Sequence, residues 1–499
     1  MAKLDLESYR RRTEQFVAEL DKEYYLHYAG LKPEANFAAV YGRFPELFTA
    51  DAVKELDRLY PATEGDEKKR LAWLLEFAVG GYFGAEAKEL SDEIANTEAR
   101  ATIDVDGESV SYRYSSVVQA NEADRERRMR IHAARLDVTA ATFNPLYDDL
   151  WRRSHALAQG LGYDDYETLF SEVKGLDYGL LRAQTDSLLQ DTEGVYERSL
   201  DALVRAKMGF TLKELHVADL PYLMRAPEYD HVFAADRLVP TFSRLLADMG
   251  IDLAAQTNVH VDAEPRELKT PRAFCAPVRV PDEIYLVVMP KGGQDDFQAL
   301  LHEGGHTEHF AHVRPGLAFE YRHLGDNAVT EGYAFIMDHL VLNPRWLERY
   351  LDFVDSAEFI SFATVVDLYF LRRYCGKLAY ETELHKETGS LDHMAKVYSE
   401  RLSEALLIDV PPESYLVDVD PGFYAGDYLR AWMFEGAFRM MLQDRYGAEW
   451  FRDPAGCAWL KELWSKGSEF DAERLTLMSG GGRLDFHPLQ HLIERVLGR

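Results

Sequence analysis

Cysteine is scarce in this 499-residue chain: Cys275, Cys375 and Cys457 are odd in number and far apart. They offer no disulfide framework, which argues against a small cross-linked secreted scaffold. A reducing compartment, the cytoplasm, is the expectation. Long apolar runs are also missing, so no membrane span is expected. The opening stretch, Met1-Ala-Lys-Leu-Asp-Leu-Glu-Ser-Tyr-Arg-Arg-Arg12, lacks the apolar core of a secretory signal. Positive charge is short as well: 56 Lys and Arg against 85 Asp and Glu leave a formal charge of −29. A nucleic-acid partner needs a basic face, so none is expected, and neutral or basic ligands are favoured. There is no internal repeat, low-complexity tract or Gly/Ser-rich linker.

What is present is helical periodicity over most of the length. A composition of 47% hydrophobic and 28% charged residues can bury a large core. Apolar positions recur at three- and four-residue intervals over 5–30, 37–60, 68–100, 120–137, 139–161 and 177–208. Gly209 stops the last of these. Further helices are predicted near 236–249 and over 356–388, 391–406, 427–446, 448–467 and 485–498. Two strand signals interrupt the pattern. Alternating runs flank Asp106-Gly107 within 101–114, a hairpin signature. Region 257–290 is strand-rich, and its run Val278–Met289 carries Pro281 near the start, which demotes it to an edge position. Such an edge could pair with an extended peptide. The irregular stretch 210–235, with Pro221 and Pro227, marks the best boundary. It divides an N-terminal helical half, 1–210, from a half at 211–499, the two packed as one body around a cleft.

The chemistry concentrates in Asp295–Phe310. His302, Glu303 and His306 form His-Glu-x-x-His, and on a helix positions i and i+4 share one face. Two imidazoles so spaced can bind one metal ion, usually zinc. Glu303 lies about 100° round the helix, beside that ion rather than on it, where it can take a proton from an activated water. A catalytic zinc needs a third protein ligand and an open position. Glu331, in the next helical segment Asp326–Leu340, shares an inward stripe with Ala334, Phe335 and Asp338. Asp338 would then accept the outer N–H of a ligating histidine. A rival third ligand is His312, six residues after His306, as in His-Glu-x-x-His-x-x-Gly-x-x-His. That arrangement wants glycine where His309 stands, so that the helix can break through a left-handed residue, and Glu331 is favoured. His309 is then an outer or substrate-facing group.

The segment His302–His309 followed by Glu331, with Arg272–Pro277 and Ile284–Met289 before it, resembles the thimet oligopeptidase and oligoendopeptidase F family of gluzincins. Angiotensin-converting enzyme and carboxypeptidase Taq are more distant in that likeness. The match is specific over 270–340, looser over 415–465, and only helical in character over 1–210. The resemblance implies a mainly α, zincin-type helical peptidase with a small sheet beside the active-site helix. It also implies a deep channel for short peptides, and one zinc ion.

One departure is clear. The family carries a histidine ahead of a tyrosine-rich helix, and none lies between 394 and 486. Tyr424 and Tyr428 remain as oxyanion donors, and Arg430 stands where a tyrosine is common. Either His309, His323 or His487 replaces the missing group, or stabilisation of the tetrahedral intermediate is reduced. Arg430, Arg272, Arg279 and Lys291 are candidate cations for a substrate's terminal carboxylate. The expectation is a zinc metallopeptidase of short peptides with Glu303 as general base. The alternative is a non-catalytic zinc- or peptide-binding protein of the same fold.

Overall fold

The computed structural model describes residues 4–270 and 272–498. The helical periodicity becomes helix along most of them, the longest being Gly65–Arg100, Tyr178–Met208 and Ala357–Leu384. Side-chain caps set many of the starts. Asp177 accepts the Leu180 N–H, and Gly209, at φ 79°, closes the same helix in the left-handed conformation.

Proline explains several departures from the predicted ranges. The 37–60 prediction resolves into Phe37–Gly42 and Ala50–Leu59. Pro45 disfavours helical backbone at Phe44, and Thr49 caps a fresh start by accepting from Ala52. Over 139–161 a π-turn, Thr139–Phe143, leads into Asn144–Leu161, where Pro145 occupies the first turn and needs no donor. Tyr166–Lys174 is a further helix outside the predicted ranges; Asp165 caps it and Gly175 ends it.

The hairpin forms as Thr102–Val105 and Glu108–Ser111, with Asp106 at φ 58° and Gly107 at φ 84° in the turn. Two consecutive left-handed residues are what a tight hairpin demands. Its second strand stops at Ser111 and helix resumes at Tyr112.

The second sheet has three strands in the order Val259–Asp262, Glu283–Val287, Phe274–Arg279. The central strand runs parallel to the first and antiparallel to the third. The run Val278–Met289 is thus not one strand, because Pro281 lies in the turn that reverses the chain. Alternation divides the sheet's faces. Phe274, Ala276 and Val287 pack on Tyr25, Tyr28 and Ala29 at the end of the Leu6–Tyr28 helix. Ile284 and Cys275 face Phe310, Ala311 and Val313 at the end of Gln294–His312.

Contacts group the chain into two compact units. One comprises residues up to Tyr82, Pro227–Ala363 and Asp427–Leu492; the other comprises Phe83–Ala226, Thr364–Gly426 and the residues from Ile493 on. The three-stranded sheet belongs to the first unit and the hairpin to the second. Residues 210 and 211 both fall inside the second. Among the described residues, no helix is long and apolar enough to cross a membrane.

Candidate metal centre

Two helices of the first unit build the site. Gln294–His312 begins after Gly293 at φ 97°, and Asp296 turns back to accept the Gly292 N–H at 2.7 Å. Asn327–Asp338 starts on Asp326, whose side chain accepts from Ala328. The two cross closely because Gly305, between the histidines, has no side chain. A Cβ there would stand 2.7 Å from Ala334 Cα and 3.0 Å from the Tyr333 carbonyl oxygen. Gly304 and Gly332 similarly receive the rings of Phe242 and Phe434.

This crossing brings Glu331 Oε2 to 3.3 Å from His302 Nε2 and 3.6 Å from His306 Nε2. The three ligand atoms all lie within 4.8 Å of one another. Atoms held about 2.1 Å from one tetrahedral ion sit roughly 3.4 Å apart, so the donor set fits a single metal ion.

The outer imidazole nitrogens are also engaged. His302 Nδ1 lies 2.9 Å from Asp338 Oδ2. A carboxylate only accepts, so that nitrogen carries a hydrogen, and once the ring gives up its other proton the lone pair is left on Nε2, facing Glu331. His306 Nδ1 lies 2.8 Å from Thr330 Oγ1, which also stands 3.2 Å from His309 Nδ1. The hydroxyl can accept from one ring and donate to the other. His309 itself is fully buried behind the pair.

Electrostatics follow from burial and proximity. Burial alone would lower the His302 pKa, but hydrogen bonds with Asp338 and Glu331 hold it well above the ordinary value. Burial would raise Glu331, and the nearby His306 and His302 bring it far below the usual carboxylate range. Glu303 is raised by burial against the pull of both imidazoles, and its Oε2 accepts the Cys275 N–H at 2.9 Å. That N–H comes from the strand Phe274–Arg279, so the sheet edge fixes the Glu303 carboxylate.

The other sequence candidates are more scattered. Phe335 bridges His302, at 5.4 Å between ring centroids, to Tyr428, at 6.1 Å, and stacks on Trp432. Tyr428 is half-buried; Tyr424, also half-buried, begins the same helix, Tyr424–Tyr446, and groups with the second unit. Arg430 is buried and binds Asp326 through both terminal nitrogens at 2.8 and 2.6 Å, and also Glu473. Arg279 pairs with Glu283, while Arg272 and Lys291 are exposed. His312 Nδ1 turns to the Glu308 carbonyl at 2.8 Å, outside the ligand cluster. His323 pairs with Asp21 at 3.1 Å, and His487 is exposed.

Three contributors had no signal strong enough to find. Thr330 precedes Glu331 but looks like an ordinary helix residue. Cys275 acts through its backbone. Tyr24, from the Leu6–Tyr28 helix, meets Phe274 edge-on at 5.3 Å and so buttresses the strand that carries the Cys275 N–H.

No family model and no curated protein sequence matches the chain. Among solved structures the fold is similar to a chain from Bacillus anthracis strain Ames described as "a putative oligoendopeptidase F". The TM-score is 0.69 at 16% identity, covering 97% of this chain and 88% of that one. At that identity the likeness is one of fold, and it extends the mainly α architecture with small sheets across nearly the whole chain.

Proposed function

We propose that the chain is a zinc-dependent metallopeptidase that hydrolyses short peptides, of the oligoendopeptidase type. The observation that carries this reading is the meeting of His302, His306 and Glu331 with Glu303 beside them. An ion bound by the three ligands would supply Lewis acidity toward a peptide carbonyl. Glu303, steered by the Cys275 N–H and raised by burial, takes a proton from the attacking water and passes it to the departing amine. Asp338 and Thr330 orient the two imidazoles so that both Nε2 atoms face Glu331. Tyr428 is the candidate donor to the oxyanion developing on the substrate carbonyl. Among the cations considered for a terminal carboxylate, Arg430 is engaged by Asp326 and Glu473, which favours internal cleavage over a carboxypeptidase mode.

The test is hydrolysis of a quenched fluorescent peptide library, with and without a chelator, by wild type and Glu303→Gln. The glutamine keeps the shape but cannot accept the proton, so metal content should persist while turnover is lost. Glu303→Gln cleaving at near wild-type rate would remove Glu303 as the base. Bound zinc with no hydrolysis of any peptide would favour a binding protein of this fold.

A further inference from the structure

The second unit holds a cavity of ≈310 Å³ that the proposed reaction does not use. That volume is at the small end of ligand pockets, which run about 300–1,000 Å³. The Met394–Leu406 helix contributes Leu402 and Leu406, one turn apart, and the segment after it contributes Val410 and Val417. These four give an aliphatic wall.

The lining also holds an ion pair. Arg373 hydrogen-bonds Asp418 through Nη2, and Tyr398 donates to the same carboxylate at 2.8 Å. Arg373 Nε and Nη1 make no hydrogen bond to any described residue, and a quarter of its side chain, 25%, is exposed where it lines the cavity. Asp418 Oδ1 lies 3.5 Å from Lys377 Nζ, which in turn holds Asp420 at 2.8 Å. Lys377 also lies 3.9 Å from Glu381, whose carboxyl burial pushes up to about 8, so at neutral pH the two cations are balanced by the carboxylates of Asp418 and Asp420. A ligand carrying net charge would disturb that balance, whereas one carrying both charges would not.

We propose that this cavity binds a free aliphatic amino acid as its zwitterion, with the carboxylate on Arg373, the ammonium on Asp418 and the side chain on the leucine–valine wall. Arginine's planar fork matches a carboxylate, and the remaining lone pairs of Asp418 can accept from an ammonium. The site is independent of the zinc reading, since none of its residues belongs to the metal centre.

L-leucine is the probe, titrated calorimetrically into the full chain. The comparison ligands are 4-methylpentanoate, which lacks the ammonium, and 3-methylbutylamine, which lacks the carboxylate. Saturable leucine binding is expected, with each analogue weaker by about tenfold or more, equivalent to about 1.4 kcal/mol. Binding should survive Glu331→Gln and disappear in Arg373→Met. The analogue series uses unaltered protein, so the result stands even if Arg373→Met fails to fold. No saturation by about 50 mM leucine, where the free energy falls below roughly 2 kcal/mol, overturns the proposal. So do analogues that match leucine, or binding that is lost in Glu331→Gln and kept in Arg373→Met.

Discussion

Replacing Gly305 by alanine tests how the metal centre is assembled, because the perturbation is one methyl group and its neighbours are backbone. The added Cβ would sit 2.7 Å from Ala334 Cα, where ordinary contact begins at 3.4 Å. Neither that atom nor the Tyr333 carbonyl can rotate aside, so the helices must part by about 0.7 Å. Overpacking of this kind costs roughly 1–3 kcal/mol of folding stability. The larger effect should fall on metal binding. Glu331 rides on the displaced helix, and zinc sites tolerate ligand errors of only about 0.2 Å. We expect zinc affinity, measured by competition with a chromogenic chelator, to fall by about 10–100-fold, the range seen when ligand-orienting groups are removed. The apo-protein should also melt lower. Gly160→Ala is the control: it lies within the Asn144–Leu161 helix with nothing within 4 Å of its would-be Cβ. It should raise stability by about 0.5–1 kcal/mol and leave zinc affinity unchanged. Gly305→Ala with wild-type affinity and melting would refute the close crossing as the source of the ligand geometry.

Beyond the Glu303→Gln test, three expectations concern the same site. Asp338→Asn leaves the His302 ring without its anionic partner and should weaken zinc binding by about 10–100-fold, read by chelator competition. Tyr428→Phe should lower kcat by about 10²–10³ with metal content and melting temperature unchanged; an unaltered kcat moves the oxyanion role elsewhere. Zinc affinity should rise with pH. His302 in the apo-protein holds its proton above the ordinary histidine range, zinc needs the neutral ring, and binding therefore expels a proton wherever His302 is charged. Isothermal titrations in buffers of different ionisation enthalpy would measure that release, and none across pH 6–8 would sink the argument.

That His302 and His306 share one helix face could be read from local pattern because its rule is local: four residues separate them on any helix. Asp338 followed from the same arithmetic, two turns beyond Glu331. The helices were legible for the same reason, and several departures fall where backbone chemistry interrupts periodicity, at Pro45, at Pro145 and in the turn holding Pro281, while the nine-residue Tyr166–Lys174 helix is too short to show a clear period. What could not be read was everything that depends on which segments meet. Nothing in Leu6–Tyr28 marks Tyr24 as a neighbour of Phe274, and nothing near Cys275 announces that its amide will fix the Glu303 carboxylate. Arg430 is the instructive case. Its position suggested a ligand for substrate, yet a buried guanidinium needs partners, and Asp326 and Glu473 satisfy it.

That clamp sets a timetable for synthesis. The helix bearing Glu331 is held at its start by Asp326, and Asp326 is satisfied by Arg430 and by the Ala472 N–H, 146 residues further along. A ribosome adding about 5–20 residues per second needs roughly 7–30 s to cover that distance. For that interval both histidines and Glu331 have already been made, while the anchor of the carboxylate helix has not. The nascent chain therefore passes through a stage in which it carries all three candidate ligands without the anchor that holds them together, and on the proposed reading zinc capture would wait on a stretch of protein distant from the ligand cluster.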